Sequence, residues 1–162
     1  MRILLFVIAT FLFSCSVKEN DKKVYDQLIG EWRNVSMKVE MLTVNNTDST
    51  STLDVTEANW EQIMQIRTIR TFFKADGTYN SVHANLNDSL IYNPAGKWSV
   101  QGDSILMTDT FPQARLTYKY RFTIREQDVN GKKELLAEFW GVEDFDQDGK
   151  KDDSYYGVQR KQ

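Results

Sequence analysis

The sequence predicts an all-β domain closed as an eight-stranded up-and-down antiparallel barrel, with a short N-terminal helical turn and one further short helix. Two observations carry that expectation: segments in which apolar and polar residues alternate, and tight turns built on Gly, Asn and Asp that join most of those segments in order. Sequential hairpins of this kind favour an up-and-down barrel. An open β-sandwich shares the strand spacing, which does not by itself distinguish closure.

Val24-Tyr25-Asp26-Gln27-Leu28-Ile29-Gly30 reads as a short helical turn ended by glycine, where a left-handed residue costs least. Glu31 to Met41 reads as a half-buried strand, because Val35, Met37, Val39 and Met41 alternate with Asn34, Ser36, Lys38 and Glu40. Trp32 falls on the opposite phase, so a bend or bulge near Arg33 is needed to turn both sets inward. Val44 to Leu53 is almost all Asn, Thr, Ser and Asp and is expected to be a loop. Asp54 and Glu57 suggest a capping box for a short amphipathic helix over Thr56 to Gln65, with Trp60, Ile63 and Met64 on one face and a possible use as a lid.

From there the signals are all β. Arg67 to Lys74 and Thr78 to Ala84 flank the hairpin turn Ala75-Asp76-Gly77. Leu90 to Asn93 leads through Pro94-Ala95-Gly96 into Lys97 to Val100, and Gln101-Gly102-Asp103 turns the chain into Ser104 to Asp109. Leu116 to Ile124 alternates most cleanly, with Leu116, Tyr118, Tyr120, Phe122 and Ile124 on one face. Asn130-Gly131 then introduces Glu134 to Val142, and Ser154 to Arg160 is the last strand.

The N-terminus reads as a targeting segment. Met1-Arg2 supplies a positive charge, and Ile3 to Phe13 is an apolar run of about eleven residues, where a membrane span needs roughly twenty. Leu12-Phe13-Ser14-Cys15 resembles the bacterial lipobox, whose cysteine receives the lipid. The resemblance implies a signal peptide over 1–14, acylation (palmitate among the chains) at Cys15, a tether over 15–23 and a domain over 24–162. It further implies an outer-membrane lipoprotein. An ordinary signal peptide that leaves a free thiol is the alternative. Ser16 to Asp21 is similar to the acidic, lysine-containing signals of surface-exposed lipoproteins, or is a solvated tether. Cys15 is the only cysteine, which rules out a disulfide within the chain.

Twenty basic residues stand against 23 acidic ones, a net charge of −3, and no basic patch suggests nucleic acid. With one histidine and one cysteine, a His/Cys zinc site cannot be assembled. A Ser-His-Asp triad would require His83, which no nucleophile-elbow motif accompanies. The expectation is a protein that is not an enzyme.

Gly30-Glu31-Trp32 resembles the G-x-W motif that opens the first strand of lipocalins. With Phe72-Phe-Lys-Ala-Asp-Gly-Thr-Tyr79, Gly96-Lys-Trp-Ser-Val and Gly102-Asp-Ser-Ile-Leu106, the chain looks like the lipocalin-like domains of Gram-negative lipoproteins, calycin-type barrels. The resemblance implies structural roles for Gly30 and Trp32, and a basic residue of the last strand across the tryptophan: Arg160, or alternatively Lys161. An eight-stranded barrel has room for packed side chains or for one small ligand. The candidate cavity residues are Met37, Val39, Phe73, Tyr79, Trp98, Tyr118, Tyr120 and Phe122. The expected function is a lipid-anchored binding protein for a small apolar or amphipathic molecule; a protein-interaction module that uses the barrel as scaffold is the alternative.

Asp144-Phe-Asp-Gln-Asp-Gly-Lys-Lys-Asp152 places Asp144, Asp146, Asp148 and Asp152 at positions 1, 3, 5 and 9 of an EF-hand-like loop, with the carbonyl of Lys150 at position 7. Position 12 is Tyr155, so the bidentate carboxylate of a true EF-hand is missing. The spacing also resembles calcium loops between β-strands of extracellular domains, whose affinity lies at the weak end, roughly 10⁻⁴ to 10⁻³ M. Ordinary Asp-Gly turn chemistry, screened by Lys150 and Lys151, explains the same residues.

Overall fold

A computed structural model of the chain describes residues 19–42, 50–112 and 116–162. The predicted signal peptide, Cys15 and the first part of the predicted tether lie outside the described residues. Helix α1 (Glu19–Leu28) leads into β1 (Gly30–Leu42) and β2 (Thr50–Thr56). Helix α2 (Trp60–Met64) then precedes β3 (Arg70–Phe73), β4 (Thr78–Ala84), β5 (Leu90–Tyr92) and β6 (Ala95–Gln101). The chain ends with β7 (Ser104–Phe111), β8 (Thr117–Val129), β9 (Lys132–Glu143) and β10 (Asp153–Lys161).

Eight strands form a closed antiparallel ring in the order β1, β3, β4, β6, β7, β8, β9, β10 and back to β1. Closure leaves the ring itself without an edge strand. The predicted strands correspond to this ring one for one. Two short strands sit outside it: β5 pairs with β4 beyond the end of β6, and β2 pairs with β1 from Ser36↔Thr56 to Leu42↔Thr50.

Strand β2 corrects the expectation that the polar stretch runs as a loop through Leu53. The part of β1 beyond β3 would otherwise present unpaired amides, and threonine and valine suit a pleated strand. Val55 is fully buried there. The predicted helix shrinks to the five residues of α2, and the capping box does not form. Asp54 remains in β2, Glu57 binds Arg160, and the Asn59 Oδ1 accepts the Thr56 amide at 2.6 Å. At its start the chain departs in the other direction, for α1 begins at Glu19 and takes in residues assigned to the tether.

The expected bulge lies two residues beyond Arg33. Asn34 pairs with Gln159 and Ser36 with Val158, so Val35 is the extra residue. Trp32 and Asn34 face inward before it, and Met37 and Val39 after it. The lower end is closed by Leu28, Trp32, Phe73, Trp98, Ile105, Phe122 and Phe139, with Val24 and Tyr25 of α1 packed beneath. Tyr25 stacks on Trp98 at 4.2 Å between ring centroids.

Trp32 is wholly buried and its Nε1 donates to the Leu28 carbonyl at 2.6 Å. The residue across its ring is Lys161, whose Nζ lies 5.6 Å from the ring centroid and donates to the Gln27 carbonyl at 2.6 Å. The resemblance favoured Arg160 for this position, and strand register corrects it. Trp32 pairs directly with Lys161, so the two share a face, whereas Arg160 points outward to Glu57 and Glu134. Gly30, at φ +130°, adopts a conformation open mainly to glycine, and a Cβ there would stand 3.1 Å from the Lys161 Cε. The ammonium also meets the carbonyl end of α1, where a cation is favoured.

Lys161→Ala is expected to cost about 1–2 kcal/mol, from the lost cation–π contact and the unanswered carbonyl. Arg160→Ala, which removes half-exposed ion pairs, is expected to cost about 0–1 kcal/mol. Denaturant unfolding followed by tryptophan fluorescence ranks the two; the reverse order would return the closing role to Arg160.

Candidate ligand cavity and aspartate loop

The side chains of the closed end fill only the lower part of the barrel. Above them lies a cavity of about 310 Å³. The inward phase of each strand supplies its wall: Asn34 and Met37 from β1, Thr71 and Phe73 from β3, Tyr79, Ser81 and His83 from β4, Met107 and Asp109 from β7. Tyr118 and Tyr120 come from β8, Phe139 from β9, Tyr155 and Gln159 from β10, and Tyr92 from β5. Ile69, Pro94 and Phe145 complete the lining.

Five of the predicted cavity residues are in this wall: Met37, Phe73, Tyr79, Tyr118 and Tyr120. Three are not. Val39 is buried beyond the lining, and Trp98 and Phe122 lie in the packed closed end, where Tyr25 and Phe139 stack against them. Position along the barrel axis, which alternation does not report, separates the two groups. Helix α2 packs on β2, burying Trp60, and none of its residues lines the cavity, so it is not the expected lid.

Asp109 is the residue that sequence reasoning missed. It shares an alternating phase with Ile105 and Met107, and that phase carries it into the wall, where it is only 4% exposed. The Tyr79 hydroxyl donates to its carboxylate, and the Tyr118 hydroxyl is within reach. Among the described lining residues no lysine or arginine is present.

Burial, then the hydrogen bond and charge of Asp109, push the Tyr79 phenol well above its usual range. Burial, with the Asp109 charge second, pushes Tyr118 up to about 12. Tyr120 is raised by burial and then by its neighbour Tyr155, which burial alone pushes up to about 12. His83 has its ring 5.3 Å from Tyr92, edge to face, and burial lowers its pKa so that the neutral form is favoured. Gly141 leaves room for this aromatic wall: a Cβ there would collide with the Tyr120 ring.

The aspartate loop joins β9 to β10 at the open end of the barrel, and Phe145 reaches from it into the cavity wall to stack on Tyr155, 6.0 Å between centroids. Carboxylate oxygens of Asp144, Asp146 and Asp153 lie within 4.8 Å of one another. Asp153 was not in the predicted set. It is fully buried and accepts backbone amides of Leu42, Phe145 and Asp146 at 2.9, 2.6 and 3.1 Å, binding the loop to the end of β1. Asp144 accepts the amides of Asp148 and Gly149, each at 3.0 Å.

Asp148 Oδ2 and Asp152 Oδ1 are buried without a hydrogen-bond partner, although the Lys150 ammonium stands 3.4 Å from the former. Desolvation, together with the carboxylates of Asp148, Asp153 and Asp144, raises the pKa of Asp146. Asp144 and Asp146 thus lie together, with Asp153 as the third member.

No known family profile matches the chain, and no curated protein matches it either.

Four of the five cavity tyrosines, Tyr79, Tyr118, Tyr120 and Tyr155, give a pH dependence with a definite sign. Their folded pKa values lie above the unfolded value near 10, so the unfolded chain loses these protons first. Their stabilising contribution is complete below about pH 10 and is lost as pH rises beyond it. Phenolate absorbance from these residues is therefore expected to appear together with the loss of β-sheet circular dichroism. Full ionisation with the sheet signal intact would show the rings to be open to water.

Proposed function

We propose that this barrel is a binding protein for one small, largely apolar ligand, held at the outer membrane by a lipid on Cys15. The observation that carries the ligand reading is the cavity of about 310 Å³ in an otherwise closely packed barrel. Ligand pockets generally begin near 300 Å³ and combine apolar and aromatic walls with a few polar groups. Here Thr71, Ser81, Asn34, Gln159 and Asp109 are the polar groups, and rings and methionines make up much of the rest. The lipid anchor rests on the lipobox resemblance at Leu12 to Cys15. The non-enzymatic reading rests on the thin inventory of nucleophiles and bases.

A second reading, a scaffold for a protein partner, has one observation in its favour. Leu90 and Ile91 of β5, Phe111 at the end of β7 and Leu116 just before β8 are exposed by 61, 57, 61 and 43%. Large apolar residues exposed in this number mark contact surfaces when they are contiguous.

Native mass spectrometry of the detergent-extracted chain tests the first reading in both parts. An acyl-lipid mass increment that vanishes in Cys15→Ser is expected, with a non-covalently retained small molecule that vanishes in Met107→Trp, where the indole fills the cavity. An intact chain without the lipid increment overturns the anchor. A ligand that survives Met107→Trp, with the fold verified by circular dichroism, overturns the cavity as its site.

The aspartate loop is assigned a structural calcium, with Asp144, Asp146 and Asp153 as the converging carboxylates and the oxygens of Asp148 and Asp152 that lack a hydrogen bond as further donors. For a site of roughly 10⁻³ M affinity, 10 mM calcium contributes about 1.4 kcal/mol and raises Tm by about 3–6 °C. Asp146→Asn is expected to abolish the rise, and an unchanged melting curve in wild-type protein would reduce the aspartates to turn residues.

A further inference from the structure

The geometry points to a small organic amine as the ligand: its ammonium group sits against Asp109 and its apolar body lies between the tyrosine rings. This deepens the reading of the barrel as a ligand-binding protein and rests on it.

A buried carboxylate is costly unless its charge is answered. Asp109 is 4% exposed in the cavity wall, its carboxylate accepts the neutral hydroxyl of Tyr79, and the phenol of Tyr118 lies near it. A carboxylate offers about four acceptor sites, so the Tyr79 phenol leaves acceptor capacity in the cavity wall. No lysine or arginine is among the described lining residues, and the one other group there that could carry positive charge, His83, is held toward its neutral form by burial. Asp109 therefore gives the cavity a negative interior.

The remaining walls favour the same ligand. Ring faces attract cations, more strongly when water is excluded, and Tyr118 and Tyr120 stack near parallel, 6.3 Å apart at an angle of 6°, with Tyr155 at 5.3 Å from Tyr120. The buried Oε1 of Gln159 has no hydrogen-bond partner and is a second acceptor for an N–H donor. A fatty acid or a phosphate monoester would instead bring a second negative charge to Asp109, which low dielectric makes repulsive. A volume of about 310 Å³ holds about ten waters at ~30 Å³ each, so the amine is small.

Calorimetry on the full chain in detergent, with three probes of one skeleton, tests the assignment: phenethylamine, 2-phenylethanol and phenylacetate. Nile red, a neutral apolar dye, reports on the cavity independently. The amine is expected to bind about tenfold to a hundredfold more tightly than the alcohol, the range of a charge-assisted hydrogen bond, and the acid most weakly. Asp109→Asn should bring the amine down to the affinity of the alcohol and leave the alcohol unchanged.

Equal binding of amine and alcohol, or preference for the acid, overturns the amine and leaves the cavity reading standing. If neither the dye nor any probe binds, both fall. Circular dichroism checks that Asp109→Asn folds; if it does not, the amine-to-alcohol ratio in the wild-type protein decides alone.

Discussion

The barrel depends on one extra residue in its first strand. Side chains on a strand alternate with a period of two, so without the bulge at Val35 either Trp32 and Asn34 or Met37 and Val39 would face water. With it, β1 keeps its pairing to β10 from Trp32↔Lys161 to Glu40↔Ser154 and turns both halves inward. The half before Val35 carries Trp32 to the closed end and Asn34 to the cavity, and the half after it carries Met37 to the cavity. Both halves of β1 thus face the interior for one local reason.

The closed end shows what the register then enforces. Once Trp32 faces Lys161, the last cation of the chain lies over the indole and beside the final carbonyls of α1, and Arg160 is left outside. A lysine there carries its charge at the tip of a flexible stem that can pass Gly30, where a larger neighbour would leave no room. Helix, first strand and last strand are thereby joined at a single buried ring, and burial lowers the pKa of the lysine that joins them.

All eight ring strands could be read from the chain because alternation and turn residues agree along most of its length. Leu116 to Ile124 and the turn at Asp76-Gly77 need nothing beyond local chemistry. Strand β2 was hidden because its polar residues acquire a strand only by pairing with the exposed edge of β1, a long-range condition that composition does not carry. The cavity was half legible. Alternation identified the inward residues but not their height along the axis, so Trp98 and Phe122 were grouped with Tyr118 and Tyr120. Asp109 lay in plain view on the phase of Ile105 and Met107, and a carboxylate at the end of an apolar phase was the available signal.

Among the described residues two aspartates, Asp109 and Asp153, are buried, and their partners separate their roles. Burial alone would raise the pKa of Asp153, but three backbone amides from β1 and the aspartate loop outweigh it and hold the carboxylate below its usual range. That carboxylate fastens the loop, and with it Phe145, to the barrel. Asp109 fastens nothing comparable: its side chain meets phenols that themselves line the cavity. An apolar residue at that position would fill the wall at less cost in desolvation. A carboxylate at the end of an apolar phase, held by a phenol of the cavity wall, breaks the local rule at a position where binding gives a physical reason beyond folding.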